Sequence, residues 1–145
     1  MTTQTSLYDQ DYYLWSQKMA TLLRAKNWHE LDIENIAEEI ESLGRSEKRA
    51  LESNLKIILI HLLKWKYQSD KQTNSWKFTI REHRQRIHKE LSESPSLKPY
   101  LAEIFPDVYE DARQLAADET GLDITIFASE CPFSLEDIQN PDFLP

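Results

Sequence analysis

His61, Arg84 and Glu119 are the residues of this chain whose types could do chemistry and whose positions break the local pattern. Each lies on or beside the apolar stripe of a different predicted helix. Such breaches persist where something compensates them, and sites are one such place. An imidazole at an apolar point of a helix is a hydrogen-bonding strut or a proton carrier. A guanidinium on an inward stripe, between Ile80 and Ile87, needs a carboxylate. Glu119 stands in a last helical turn, where the dipole disfavours negative charge, so something positive should lie near it. The economical assembly is an Arg84–Glu119 ion pair within hydrogen-bonding distance, joined by His61 and one of Glu38 or Glu39. As a buried polar network this fixes register. As an active site it gives a hydrolase or transferase, with His61 as general base and Arg84 holding an anion.

The candidate catalytic residues are therefore His61, Arg84 and Glu119, and the candidate ligand-binding residues are Glu39, Trp65, Gln68 and Trp76. No nucleophile is paired with a base, and neither a phosphate-cradling glycine loop nor a zincin motif is present. Glu34, Glu38 and Glu41 lie within a turn of one another, but the Glu-x-x-His signature of di-iron bundles is missing. His83 and His88 diverge, five residues apart. No metal and no cofactor are expected, and the three glutamates read as a solvated face.

About five helices must position these residues. Tyr8, Tyr12, Trp15, Met19 and Leu22 recur at steps of four and three, which predicts a first helix from about Asp9 to Lys26. Asp32 is a good N-cap, with Leu31 and Ile36 as a staple. Ile33, Ile36, Ala37, Ile40 and Leu43 mark the buried face of a second helix, which is expected to break at Gly44, with Ser46 as a fresh cap. A third helix, Ser46 to about Tyr67, is apolar on two sides and should be central, with Leu55, Ile58, Leu59 and Leu62 in the core. Glu47, Asn54, His61 and Gln68 run along it as a polar stripe at sevenfold spacing. A fourth helix begins at Asn74 or Ser75 and ends near Ser92, before Ser94-Pro95-Ser96. A short turn covers Lys98 to Ile104, Pro106 opens a fifth helix and Gly121 closes it. In the tail, Ser134 caps a turn, and Phe143 and Leu144 anchor the end.

The whole reads as one all-α domain over residues 1–145, a compact helical bundle with a helical core at 8–122 and an irregular C-terminal tail at 123–145 packed on it. Two glycines in 145 residues, with 29% charged and 40% hydrophobic side chains, suit long helices better than the turns of a β fold. The single Cys131 excludes an intramolecular disulfide and, with no signal peptide evident, favours a reducing cytoplasm. The longest apolar run, Ile57 to Ile60, is too short to cross a bilayer.

Charge is unevenly laid out. Of a net −8, residues 64–89 carry +6, residues 1–63 carry −3 and residues 90–145 carry −11. Lys64, Lys66, Lys71, Lys77, Arg81 and Arg86, with Trp76 available to stack, could make a weak, salt-sensitive nucleic-acid contact. The acidic remainder repels a polyanion, which makes nucleic acid an unlikely partner.

Several stretches carry a family resemblance: Tyr8-Asp9, Trp15, Leu22-Leu23-Arg24, Glu38-Glu39-Ile40-Glu41-Ser42-Leu43-Gly44-Arg45 and His61-Leu62-Leu63-Lys64-Trp65. Ser75-Trp76, Thr79-Ile80, Ser94-Pro95-Ser96-Leu97, Glu119-Thr120-Gly121-Leu122 and Cys131-Pro132 extend it over nearly the whole chain. In these the chain resembles the bacterial, chiefly cyanobacterial, family catalogued as domain of unknown function twenty-nine. The resemblance implies a compact helical fold with no assigned activity. His61, Arg84 and Glu119 match family positions, whereas His83 is peculiar to this sequence. The expectation is thus a non-enzymatic cytoplasmic interaction or regulatory domain, with a protein partner rather than a membrane.

Overall fold

A computed structural model describes residues 6–145. Among them the regular elements are α1 (Leu7–Gln10), α2 (Tyr12–Arg24), α3 (Ile33–Tyr67), α4 (Asn74–Glu93), α5 (Lys98–Thr120) and α6 (Leu135–Gln139), with short 3-10 turns between. The class is all-α, as composition and periodicity require. Two compact units are present, one ending at Ser46 and the other running from Glu47 to Pro145.

In the first unit the expected single helix is divided at Asp11, whose Oδ1 accepts the Leu14 N–H at 3.0 Å and so caps α2. Trp15 and Met19 are its buried apolar side chains. Trp15 Nε1 donates to Asp32 Oδ2 at 3.2 Å, and the Tyr12 hydroxyl donates to Glu39 Oε2 at 2.6 Å. Tyr8 donates to the other Glu39 oxygen. Asp32 and Glu39, seven residues apart, therefore define the edge of α3 that faces α2.

That geometry corrects the expected buried face. Ile33 and Ile40 follow Asp32 and Glu39 by one residue, which turns them about 100° round the helix and away from α2. Ile33, Ile40 and Leu43 are 65%, 64% and 68% exposed.

The break expected at Gly44 is also absent, because α3 is one helix of 35 residues. Arg45 Nη2 reaches Glu38 Oε1 at 2.8 Å, and Arg45 Nη1 lies 3.9 Å from Glu41 Oε2, so ion pairs span the glycine. A lone interior glycine costs about 1 kcal/mol relative to alanine, too little to end a helix supported on both sides. Pro106 likewise sits inside α5 instead of opening a helix. The carbonyl that its missing N–H would meet belongs to Ala102, an exposed residue, where water can substitute.

The second unit holds the core. Leu51, Leu55, Ile58, Leu59 and Leu62 are fully buried along α3, as their crowded periodicity predicts. Ile80 and Ile87 of α4, Leu101, Val108 and Ala112 of α5, and Phe127 and Ile138 of the tail close round them. Thr73, rather than Asn74 or Ser75, caps α4, its Oγ1 accepting the Trp76 N–H at 3.2 Å. Gly121 closes α5 at φ +72°, a conformation that favours glycine. Ser134 caps α6, and Phe143 and Leu144 pack against the core.

Candidate functional site

The three polar residues singled out from the sequence make no hydrogen bond or ion pair with one another, and only His61 and Glu119 are near enough for one charge to act on the other. Arg84, on α4, is 3% exposed, yet among the described residues no carboxylate pairs with it. Its Nε donates to Ile138 O at 2.7 Å and its Nη2 to Asp137 O at 3.3 Å. The expected Arg84–Glu119 pair is therefore absent. A buried guanidinium does not require a carboxylate, because the last carbonyls of a helix are equally orphaned acceptors that attract a cation. His88 lies one turn along α4, and its Nε2 meets Gln139 O at 2.8 Å. Together Arg84 and His88 satisfy the C-terminal end of α6. Burial, and then the neighbouring Arg81 charge, push the Arg84 pKa downward.

Glu119 has a different cation. Lys64 of α3 reaches its Oε1 at 2.7 Å, with the lysine side chain 7% exposed and the glutamate 55%. The positive neighbour demanded by the end of α5 is thus Lys64, which sequence reading had placed on a basic surface. The same ammonium lies 4.5 Å from the centroid of the Trp76 ring, so Trp76 is a cation–π partner within the fold. His61 is half-buried, and its Nδ1 faces Ile57 O at 2.8 Å. Desolvation lowers the His61 pKa; the Ile57 carbonyl and Glu119 work against this, while Lys64 and His83 reinforce it. His83 makes the same helix-internal contact, Nδ1 to Thr79 O at 2.8 Å. Each imidazole is tied to its own helix through Nδ1.

The ligand-binding candidates scatter as well. Glu39 belongs to the first unit, where the hydroxyls of Tyr12 and Tyr8 hold its carboxylate below the usual range. Trp65 is half-buried, with its carbonyl accepting from Gln72 Nε2 at 3.1 Å, and Gln68 is buried where α3 ends. Within the polar stripe of α3, Asn54 Nδ2 donates to Glu90 Oε1 at 2.8 Å, a partner that the sequence did not suggest. Among the described residues no group of three His, Cys, Asp or Glu side chains could hold a metal ion. None of the described helices is long and apolar enough to cross a membrane.

What α4 does assemble is a cationic cavity. Lys77, Arg81 and Arg84, at steps of four and three, share one face of the helix. They line a cavity of about 340 Å³ with Phe78, Pro141 and Leu144, and His61 is not part of its wall. Sequence reading had named Lys77 and Arg81 only as members of a basic segment, because the tail residues that complete the wall lie some sixty positions downstream. No curated protein and no solved structure matches the chain. The model of the family described as "Domain of unknown function DUF29" matches residues 7–144, and the chain belongs to that family.

Proposed function

We propose that this chain is a non-enzymatic interaction domain of the cytoplasm whose first unit docks a second copy of itself. The carrying observation is that eight of the eleven exposed large apolar side chains among the described residues, Ile33, Ile40 and Leu43 of α3 among them, lie in the unit ending at Ser46. Exposed apolar sets of this kind mark contact surfaces. The free thiol of Cys131 agrees with a reducing compartment.

Self-complementarity favours a second copy as the occupant. Glu34, Glu38, Glu41 and Arg45 lie on the other side of α3, where Arg45 pairs with Glu38 at 2.8 Å, which leaves Ile33, Ile40 and Leu43 as an uncharged stripe. An antiparallel pairing that sets Ile40 of each copy against Leu43 of the other covers the same stripe on both, as an isologous interface requires. That Arg84 is engaged by the α6 carbonyls, apart from His61 and Glu119, weighs against the hydrolase or transferase reading. Burial of Lys64, stacked over the half-buried Trp76 ring, engages two members of the set on which a nucleic-acid contact would rely.

Sedimentation across a concentration series tests the proposal. A dimer is expected, with Ile40→Glu monomeric. Leu43→Glu should weaken association likewise, whereas Glu38→Gln, on the opposite side of α3, should leave it unchanged, and a loss as large in Glu38→Gln would also overturn this face as the interface. A wild-type mass that stays at 17.1 kDa at every concentration would overturn the self-docking reading.

A further inference from the structure

We propose that the cavity between α4 and the C-terminal tail is a binding site for a small phosphomonoester. This site belongs wholly to the second unit and does not depend on the docking surface of the first.

Charge carries the argument. Lys77, Arg81 and Arg84 line one cavity of about 340 Å³, and among the described residues none of the three pairs with a carboxylate. This is unusual in a chain of net charge −8, in which the neighbouring Arg86 pairs with Glu82 at 2.7 Å. Arg84 is the fixed member. Its Nε and one Nη2 proton are spent on the Ile138 and Asp137 carbonyls, which lock the guanidinium and leave three of its five N–H donors for something else. Burying an arginine beside a second arginine costs energy unless an anion shares the space. Lys77 and Arg81 sit above it on the exposed side of α4, where they can close on a ligand. Three cations with no ion pair among the described residues favour a dianion over a carboxylate, and Arg matches phosphoryl oxygens in a planar fork.

The rest of the wall defines the group that carries the phosphate. Phe78, Pro141 and Leu144 give the same cavity apolar wall, and Phe78 is 66% exposed, a cost that a ring or short hydrocarbon laid on it would offset. A volume of about 340 Å³ lies at the small end of ligand cavities and fits one phosphoryl group with a ring-sized substituent. A nucleic acid is disfavoured, since the protein's overall field repels a polyanion while a small dianion needs only the local cations.

The test is a ¹H–¹⁵N NMR titration of the full chain at low salt with phenyl phosphate, inorganic phosphate and benzoate. Phenyl phosphate should saturate, moving amides at 77–84 and 141–144. Inorganic phosphate should bind the same place more weakly, and benzoate more weakly still. Lys77→Gln and Arg81→Gln alter exposed side chains and should leave the melting temperature unchanged, while each weakens phenyl phosphate about tenfold, the loss of one charge-assisted hydrogen bond. Absence of saturable shifts, shifts indifferent to both variants, or equal binding of phenyl phosphate and benzoate would each overturn the assignment. Inorganic phosphate binding as tightly as phenyl phosphate would do the same, since the apolar wall would then have no part in it.

Discussion

The two units of this chain use apolar residues in opposite ways. In Glu47–Pro145, α3, α4, α5 and the tail contribute to one cluster in which Leu51, Leu55, Ile58, Leu59 and Leu62 are sealed from water. Up to Ser46 the elements meet through hydrogen bonds to Asp32 and Glu39 and through ring contacts such as Tyr8 edge-on to Trp15 at 4.8 Å, while Ile33, Ile40 and Leu43 stay in solvent. The same helix, α3, serves both regimes. An apolar stripe is buried only where other elements cover it, so periodicity alone reports which face is apolar and not whether it is covered. One unit is built to fold, and the other keeps greasy surface in reserve.

The sharpest way to break this contrast is truncation at matched sites. Leu59→Ala in the second unit should cost about 2–5 kcal/mol by leaving a cavity. Leu43→Ala, made at a concentration where the chain is monomeric, should stay within about 0.5 kcal/mol because no cavity forms at an exposed position. Urea titration of both variants checks the pair, and equal costs would erase the distinction between the units.

A smaller effect is expected at the tail. Arg84→Met should strand the Ile138 carbonyl and cost about 1–3 kcal/mol, with the loss of amide protection concentrated at 135–139 in hydrogen exchange. Smaller again is Glu119→Gln. It leaves the buried Lys64 ammonium with the Trp76 ring but no carboxylate, and because Glu119 is half in water the cost should be near 1 kcal/mol and fall in high salt. A Glu119→Gln loss as large as that of Leu59→Ala would mean that electrostatics, not packing, dominates the second unit.

What the sequence made legible follows the same division. Leu55, Ile58, Leu59 and Leu62 were readable as core because a helix apolar on two sides has few other uses, and the caps at Asp32, Ser134 and Gly121 were readable because each is a local rule. Partners joined by backbone atoms were not. Arg84 finds the carbonyls of α6, and Arg113 donates from Nε to Phe127 O at 3.2 Å and from Nη2 to Ile124 O at 3.1 Å. A carbonyl is present at every position, so nothing in the residue string marks which one a buried arginine will take. Reasoning restricted to side-chain types supplied a carboxylate, Glu119, that belongs to Lys64. Gly44 and Pro106 mislead for the complementary reason. Both are local signals for a break, and α3 and α5 override them with long-range support that no window of a few residues contains.

The smallest expected effect concerns Glu90, where the second unit departs from its own regime. Its Oε1 accepts from Asn54, but its Oε2 is buried with no hydrogen-bond partner among the described residues. Burial raises the Glu90 pKa, the Asn54 bond opposes this, and the nearby Glu47 charge adds to it. The folded state therefore holds the Glu90 proton more tightly than the unfolded chain does. The stability this contributes is fully present below the unfolded value of 4.5 and is lost as pH rises through the raised folded value. Glu90→Gln removes the ionisation while keeping an oxygen for Asn54. The variant should match wild type in acid and become more stable than it above the folded pKa, by about 1 kcal/mol or less. Urea melts of both proteins from pH 4 to pH 8 would trace the difference, which must open as pH rises. A constant offset, or one that closes toward neutral pH, would mean that Glu90 ionises in the fold without penalty and that its orphaned oxygen is reached by water.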